Sequence, residues 1–277
     1  MQNITSIFKK TIFDLIYRFQ KLVDRISRNS SNWKGNYSSW EDAKKFCFDG
    51  YDDIKILEKC SDSLLKVKNG KAVYERDSVI FNNIQYSWGL LSGLQKAAIE
   101  NDNKLCVLDF GGSLGSSYYQ NKEFLSGLSD LKWCIVEQPH FVRRGKEVFE
   151  DDHLFFYDTI DDCLNEMTPN VLLLSCVIQY LEDPYKWLND FLLLNIPFII
   201  IDRTPFVDTQ QDILTVQRVH DNIYSASYPC WFFNEDRFNS YFSNYKLIGK
   251  FESFCDKNII LNRRLEACWI GLLFVNV

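Results

Sequence analysis

The sequence predicts an α/β fold built on a mostly parallel sheet with helices on both faces. Two observations carry this expectation. From Lys104 onward, apolar runs at 104–110, 132–137, 153–157, 170–175 and 197–202 alternate with helix-length segments at 115–129, 139–149 and 184–194. The runs are strand-sized and apolar almost throughout, as strands buried on both faces must be, and the strand–helix rhythm is that of a parallel sheet. After residue 203 the rhythm breaks into a polar and aromatic stretch reaching about residue 243. Two more strand-like runs follow, near 245–254 and 266–275, suited to an antiparallel pair, which brings the expected strands to seven.

The N-terminal part reads differently. Ile4, Phe8, Ile12, Leu15, Phe19 and Leu22 recur at helical spacing, and residues 1–30 carry a net charge of +4 in a chain of net charge −6. This is a basic amphipathic helix, able to lie on an anionic membrane surface or to pack on its own domain or a second subunit. Asn29–Asn32 reads as a linker. Ser39 followed by Asp42 has the spacing of a helix cap, so a helix is expected from Trp40. A turn is expected at Lys68–Lys71, and a helical pattern, in one or two pieces, from Asp77 to Glu100. The expected organisation is a helical N-terminal region, 1–74, followed by a domain over 75–277 that carries an insertion at about 203–243.

Composition narrows the function classes. A chain of 277 residues that is 46% hydrophobic and 25% charged is neither disordered nor a small disulfide-stapled module. The acidic balance disfavours nucleic acid as a partner. No apolar run approaches the roughly 18 residues of a spanning helix, and no secretory signal is visible. Nine cysteines without a C-x-x-C pair, several inside strand-like runs, read as reduced thiols in a cytoplasmic protein. Three scattered histidines without H-E-x-x-H leave no expected metal site.

The sharpest local feature is Val107-Leu108-Asp109-Phe110-Gly111-Gly112-Ser113-Leu114-Gly115, where the first long strand run gives way to a helix. Glycines there let a backbone approach a ligand without Cβ collisions, or simply make a tight turn. The G-x-G-x-x-G spacing of a dinucleotide loop and the Lys-Ser/Thr ending of a phosphate loop are both missing. Gly111-x-Ser113-x-Gly115 does match the nucleophile elbow of an α/β-hydrolase, with Asp202 and His220 following in triad order. Against it stands Glu137 at the end of the next strand run, where a carboxylate can accept from both hydroxyls of a ribose. No H-G-G-G-like oxyanion segment precedes the serine. The nucleoside reading is therefore preferred.

Ser175-Cys176-Val177-Ile178-Gln179-Tyr180-Leu181-Glu182-Asp183-Pro184 follows the fourth strand run. Together with Asp109-x-Gly111-Gly112-x-x-Gly115 and Glu137, it resembles class I S-adenosylmethionine-dependent methyltransferases over about residues 104–202. Trp33-x-Gly35-x-Tyr37-x-Ser39-Trp40, Asp202-Arg203-Thr204-Pro205 and Tyr228-Pro229-x-Trp231-Phe232 extend the likeness. They resemble a bacterial methyltransferase family encoded among genes for surface-polysaccharide (O-antigen or capsule) synthesis. The resemblance implies a Rossmann-like, seven-stranded sheet, mostly parallel with a C-terminal antiparallel hairpin. It also implies S-adenosylmethionine as cofactor and O-methylation of a sugar or related glycan acceptor.

Carried onto this chain, the resemblance puts Gly111, Gly112 and Gly115 beside the methionyl end, with Asp109 orienting the loop and Glu137 on the ribose. Gln138 and Asp158 flank the adenine, while Ser175 and Gln179 face the reacting end. Asp202 and His220 are candidate general bases. Arg203, Tyr228 and Trp231 are candidate acceptor contacts, although the aromatics equally suit a core. A homo-oligomer, peripheral membrane contact through residues 1–30, and a non-catalytic nucleoside-binding protein on the same fold all remain open.

Overall fold

The computed structural model describes residues 32–48, 54–219, 226–254, 258–262 and 265–277. The first half comprises β1 (Trp33–Lys34), α1 (Trp40–Lys44), α2 (Ile54–Lys68), β2 (Tyr74–Arg76), β3 (Val79–Phe81), α3 (Trp88–Ile99), β4 (Lys104–Phe110), α4 (Ser116–Leu125), β5 (Asp130–Val136) and α5 (Pro139–Val148). The second comprises β6 (Leu154–Tyr157), α6 (Ile160–Glu166), β7 (Val171–Ser175), α7 (Pro184–Leu193), β8 (Phe198–Val207), β9 (Ile213–Arg218), β10 (Ser227–Asn234), α8 (Glu235–Ser240), β11 (Tyr245–Glu252), β12 (Ile259–Leu261) and β13 (Leu265–Asn276). The basic helix expected over residues 1–30, and His220, lie outside the described residues. No described helix is long and apolar enough to cross a membrane, and no disulfide joins the described cysteines.

The apolar runs become strands because both their faces are covered. Leu105 and Val107 of β4, with Leu131, Trp133 and Ile135 of β5, enter the core shared with α2, α3, α4 and α5. Their neighbours Leu108, Cys134 and Val136 enter the opposite core beneath α6 and α7. Alternate side chains thus serve opposite layers. Side-chain caps set the helix starts: Ser39 accepts from Asp42 N–H at α1, Thr159 from Asp162 N–H at α6 and Asp183 from Lys186 N–H at α7. In α7, Pro184 in the first turn reinforces the start.

The sheet runs β6-β5-β4-β7-β8-β13-β11. Its first five strands are parallel, and β13 lies antiparallel between β8 and β11. Strand order therefore reverses between β4 and β7, the switch point outside which open α/β sheets take ligands. β8 is long enough to serve two neighbourhoods. Its lower half pairs with β7, and its upper end pairs in parallel with β10, which continues through β9 to β1 as an antiparallel ribbon. At the transition Asp202 and Arg203 face Gly271 alone on β13, a bulge in which Arg203 adopts φ +50°.

Two expectations are corrected. The helical pattern from Asp77 breaks because Asp77 and Ser78 both adopt left-handed backbone, φ 51° and 68°. They reverse the chain between Arg76 and Val79 in a two-residue hairpin turn, and the helix begins only at Trp88. The stretch near 203–243 holds two paired strands, β9 and β10, in addition to the end of β8. Before residue 75, β1 pairs with β9, while Ile56, Leu57 and Leu64 of α2 share a core with α3 and β4.

Asn170 stitches this arrangement together. Its buried amide accepts from Cys106 N–H at 2.8 Å and donates to the carbonyls of Ala97 and Lys104, both at 3.3 Å, tying the loop before β7 to β4 and the end of α3. Asn170→Ala strands the Cys106 N–H and is expected to cost about 1–3 kcal/mol of stability, read as a lowered midpoint in urea unfolding.

Candidate active site

β4 ends at Phe110, and the chain crosses the sheet edge through Gly111 (φ +72°), Gly112 and Ser113 (φ +54°). A Cβ on Gly111 would lie 2.5 Å from Val177 Cγ2, and one on Gly112 would lie 2.6 Å from the Asp109 carboxyl carbon. Only glycines allow this path. Asp109, 1% exposed, lies under the loop, and its Oδ2 accepts from the Trp133 indole N–H at 2.8 Å. Burial, helped by the Glu137 charge and opposed by that hydrogen bond, pushes its pKa up to about 7.

Glu137 follows β5. Its carboxylate accepts the Gln138 N–H at 2.6 Å. Burial outweighs this donor and raises its pKa to about 7. Both elements open onto one cavity of about 900 Å³ at the switch point. Asp109, Gly111, Gly112, Glu137, Gln138 and Asp158 line one side; Ser175, Arg203 and Tyr228 also line the cavity.

The other expected residues stand elsewhere. Gly115 is the N-cap of α4, and a Cβ there would meet Leu154 and Ile135 rather than the cavity. Gln179 is fully buried, donating to the Arg203 carbonyl and the Cys176 sulfur, both at 3.3 Å, behind the cavity wall. Asp202 is 1% exposed and accepts from Ser87 and Ser175, each at 3.2 Å, so as a candidate base it stands behind the Ser175 hydroxyl, which lines the cavity. Tyr228 and Trp231 are three apart on β10 and project to opposite faces. Tyr228 reaches the cavity and Trp231 packs into the cores instead.

Sequence reasoning missed the residues that distant segments bring to the cavity. The β2–β3 hairpin contributes Glu75, Arg76 and Asp77, and the ribbon contributes Trp33 and Gln217. Glu75 is 3% exposed, accepts from the Ser116 hydroxyl and from Ser78 N–H at 3.2 Å, and burial raises its pKa to about 7. No local motif marks these residues, because distant pairings bring them in. The elbow reading of Ser113 gains nothing, since Asp202, its expected triad acid, instead accepts from Ser87 and Ser175. Among the described residues no histidine takes the Ser113 proton.

The strand order, with β13 alone reversed within the seven-strand sheet, defines a Rossmann-like sheet of the class I methyltransferase type. No protein-family model matches the chain, and no curated protein sequence matches it. Solved structures share its general architecture. The N-terminal domain of EvdMO1, crystallised in the presence of SAH and D-fucose, is 11% identical, covering 83% of this chain and 100% of its own, with a TM-score of 0.47. An S-adenosylmethionine-dependent methyltransferase from Clostridium acetobutylicum is 10% identical over 69% of this chain and 92% of its own (TM-score 0.42). CalS10, an amino pentose methyltransferase from Micromonospora echinaspora, is 10% identical over the same shares (TM-score 0.40).

Two buried carboxyls, Asp109 and Glu75, and the half-buried Glu137 give the folded chain a pH signature. Asp109, Glu137 and Glu75 keep their protons to about pH 7 when folded, whereas unfolded carboxyls release them near pH 4. The unfolded chain therefore binds fewer protons across this window, and the stability these groups contribute falls as pH rises from about 5 to about 8. Urea midpoints across that range should decline, and Glu137→Gln should flatten the decline. An unchanged slope in that variant contradicts the assignment.

Proposed function

We propose that this chain is a methyltransferase that uses S-adenosylmethionine to methylate a hydroxyl of a sugar or related glycan group, in bacterial surface-polysaccharide synthesis. The observation that carries the reading is the convergence of the glycine loop and the Glu137 carboxylate on one cavity at the switch point. The residues present fit the cofactor. Gly111 and Gly112 bring bare backbone to the cavity, packed so closely on Val177 and the Asp109 carboxyl that a Cβ on either would displace them, and the Asp109 and Glu137 carboxyls that also line the cavity are compatible with a cation.

When bound, S-adenosylmethionine supplies an electrophilic methyl group on a sulfonium centre. Glu137 would accept hydrogen bonds from the ribose hydroxyls, held in position by the Gln138 N–H. Asp109 would keep the loop in place from beneath, without touching the ligand directly. Gln138 and Asp158 would border the adenine, and Ser175 would face the reacting end. Displacement at a sulfonium methyl is in-line, so the chain's chief contribution is alignment. Ser175, donating to Asp202, offers the acceptor hydroxyl a polar contact backed by a buried carboxyl group.

Calorimetric titration with S-adenosylhomocysteine tests the cofactor. Saturable binding is expected, weakened in Glu137→Ala by about 1.5–3 kcal/mol through loss of charged hydrogen bonds. Equal affinity in the variant refutes the role of Glu137. Methyl transfer from labelled S-adenosylmethionine into glycan fractions is the second expectation; binding without transfer to any fraction would leave a non-catalytic nucleoside-binding protein.

A further inference from the structure

The cavity is divided by charge. Asp109, Glu137 and Glu75 surround the glycine loop, whereas the guanidinium groups lie on the hairpin and at the kink of β8. Arg203 Nη2 lies 3.1 Å and Arg76 Nε 4.0 Å from the same oxygen, Asp77 Oδ2. Two cationic side chains, only 13% and 19% exposed, are thus aimed at one point that an anion already occupies. Arg76 is held for this role: it donates to Gln85 Oε1 at 2.8 Å and lies over the rings of Phe81 and Phe254. Asp77 is the more exposed partner, with 54% of its side chain accessible at the tip of a two-residue turn. A half-exposed carboxylate in such a pair is held weakly, while an incoming phosphate or carboxylate can take a guanidinium fork with two hydrogen bonds.

Beside this point stands an aromatic wall. Tyr180 and Tyr228 meet edge-on with ring centres 5.1 Å apart, and Trp33 packs against Trp269 at 4.9 Å. All four line the cavity, together with Gln217, which receives the Tyr180 hydroxyl at 2.8 Å. Ring surfaces with amide and hydroxyl groups among them suit the C–H faces and hydroxyls of a sugar. A volume of about 900 Å³ lies near the top of the roughly 300–1,000 Å³ range of small-molecule sites. That leaves space for a second ligand beside a nucleoside.

We infer that the second ligand is a sugar bearing a negative charge, a phosphate or a carboxylate. Its anionic group displaces Asp77 from Arg76 and Arg203, and its ring packs on the wall formed by Tyr228 and its neighbours. This rests on the methyltransferase reading only in making that sugar the acceptor; the binding itself is a property of the wall.

Calorimetry on the whole chain tests it with glucose 1-phosphate, glucuronic acid and methyl glucoside, each with and without saturating S-adenosylhomocysteine. At least one charged sugar should bind about tenfold more tightly than methyl glucoside, and the two charged sugars distinguish phosphate from carboxylate. The preference should shrink as salt rises from about 50 to about 500 mM. Asp77→Asn, which removes the competing anion, should tighten the charged sugar several-fold, and Arg203→Gln should erase the preference. Equal affinities, no binding of either charged sugar, or no gain in Asp77→Asn would overturn the inference. A chain that shows the preference but ignores S-adenosylhomocysteine would overturn the cofactor reading instead, and the converse result would spare it.

Discussion

The hydrogen bond between the Trp133 indole and the Asp109 carboxylate is the contact on which the rest of the site depends. A carboxylate enclosed this completely is tolerable only with a donor aimed at it, and the neighbouring strand supplies one at 2.8 Å. With Asp109 fixed, Gly112 must lie directly on its carboxyl group and Gly111 against Val177. One buried pair between β4 and β5 thereby sets the path of the loop. Neither glycine could be exchanged for a larger residue without moving Asp109 or Val177.

Reading the sequence captured the half of the molecule whose logic is local. The five parallel strands announced themselves because each is buried on both faces and so has few polar positions. The glycine loop and Glu137 were legible because each follows directly on its strand. The other half depends on distant partners. Trp33 reaches the cavity only because it pairs with Gln217 across the ribbon. The hairpin escaped notice because Asp77-Ser78 makes a turn usually signalled by glycine. Tyr228 and Trp231 looked equivalent until a strand assigned them opposite faces. Asp202 looked accessible at the end of its apolar run until Ser87 and Ser175 closed over it.

These two halves differ in electrostatic character as well as in origin. The loop side gathers carboxyl groups whose burial favours their protonated forms, so a cationic ligand and bound protons compete there for the same groups. The hairpin side carries guanidinium groups whose charge is fixed at any physiological pH.

The kink at Asp202–Arg203 has a consequence for how this architecture can diversify. Below it, β8 is locked between β7 and β13; above it, the same strand carries β10 and the ribbon. The extra residue works as a seam that absorbs twist. Insertions or exchanges in the turns beyond Val207 can reshape the roof while the register of the parallel strands stays as it is.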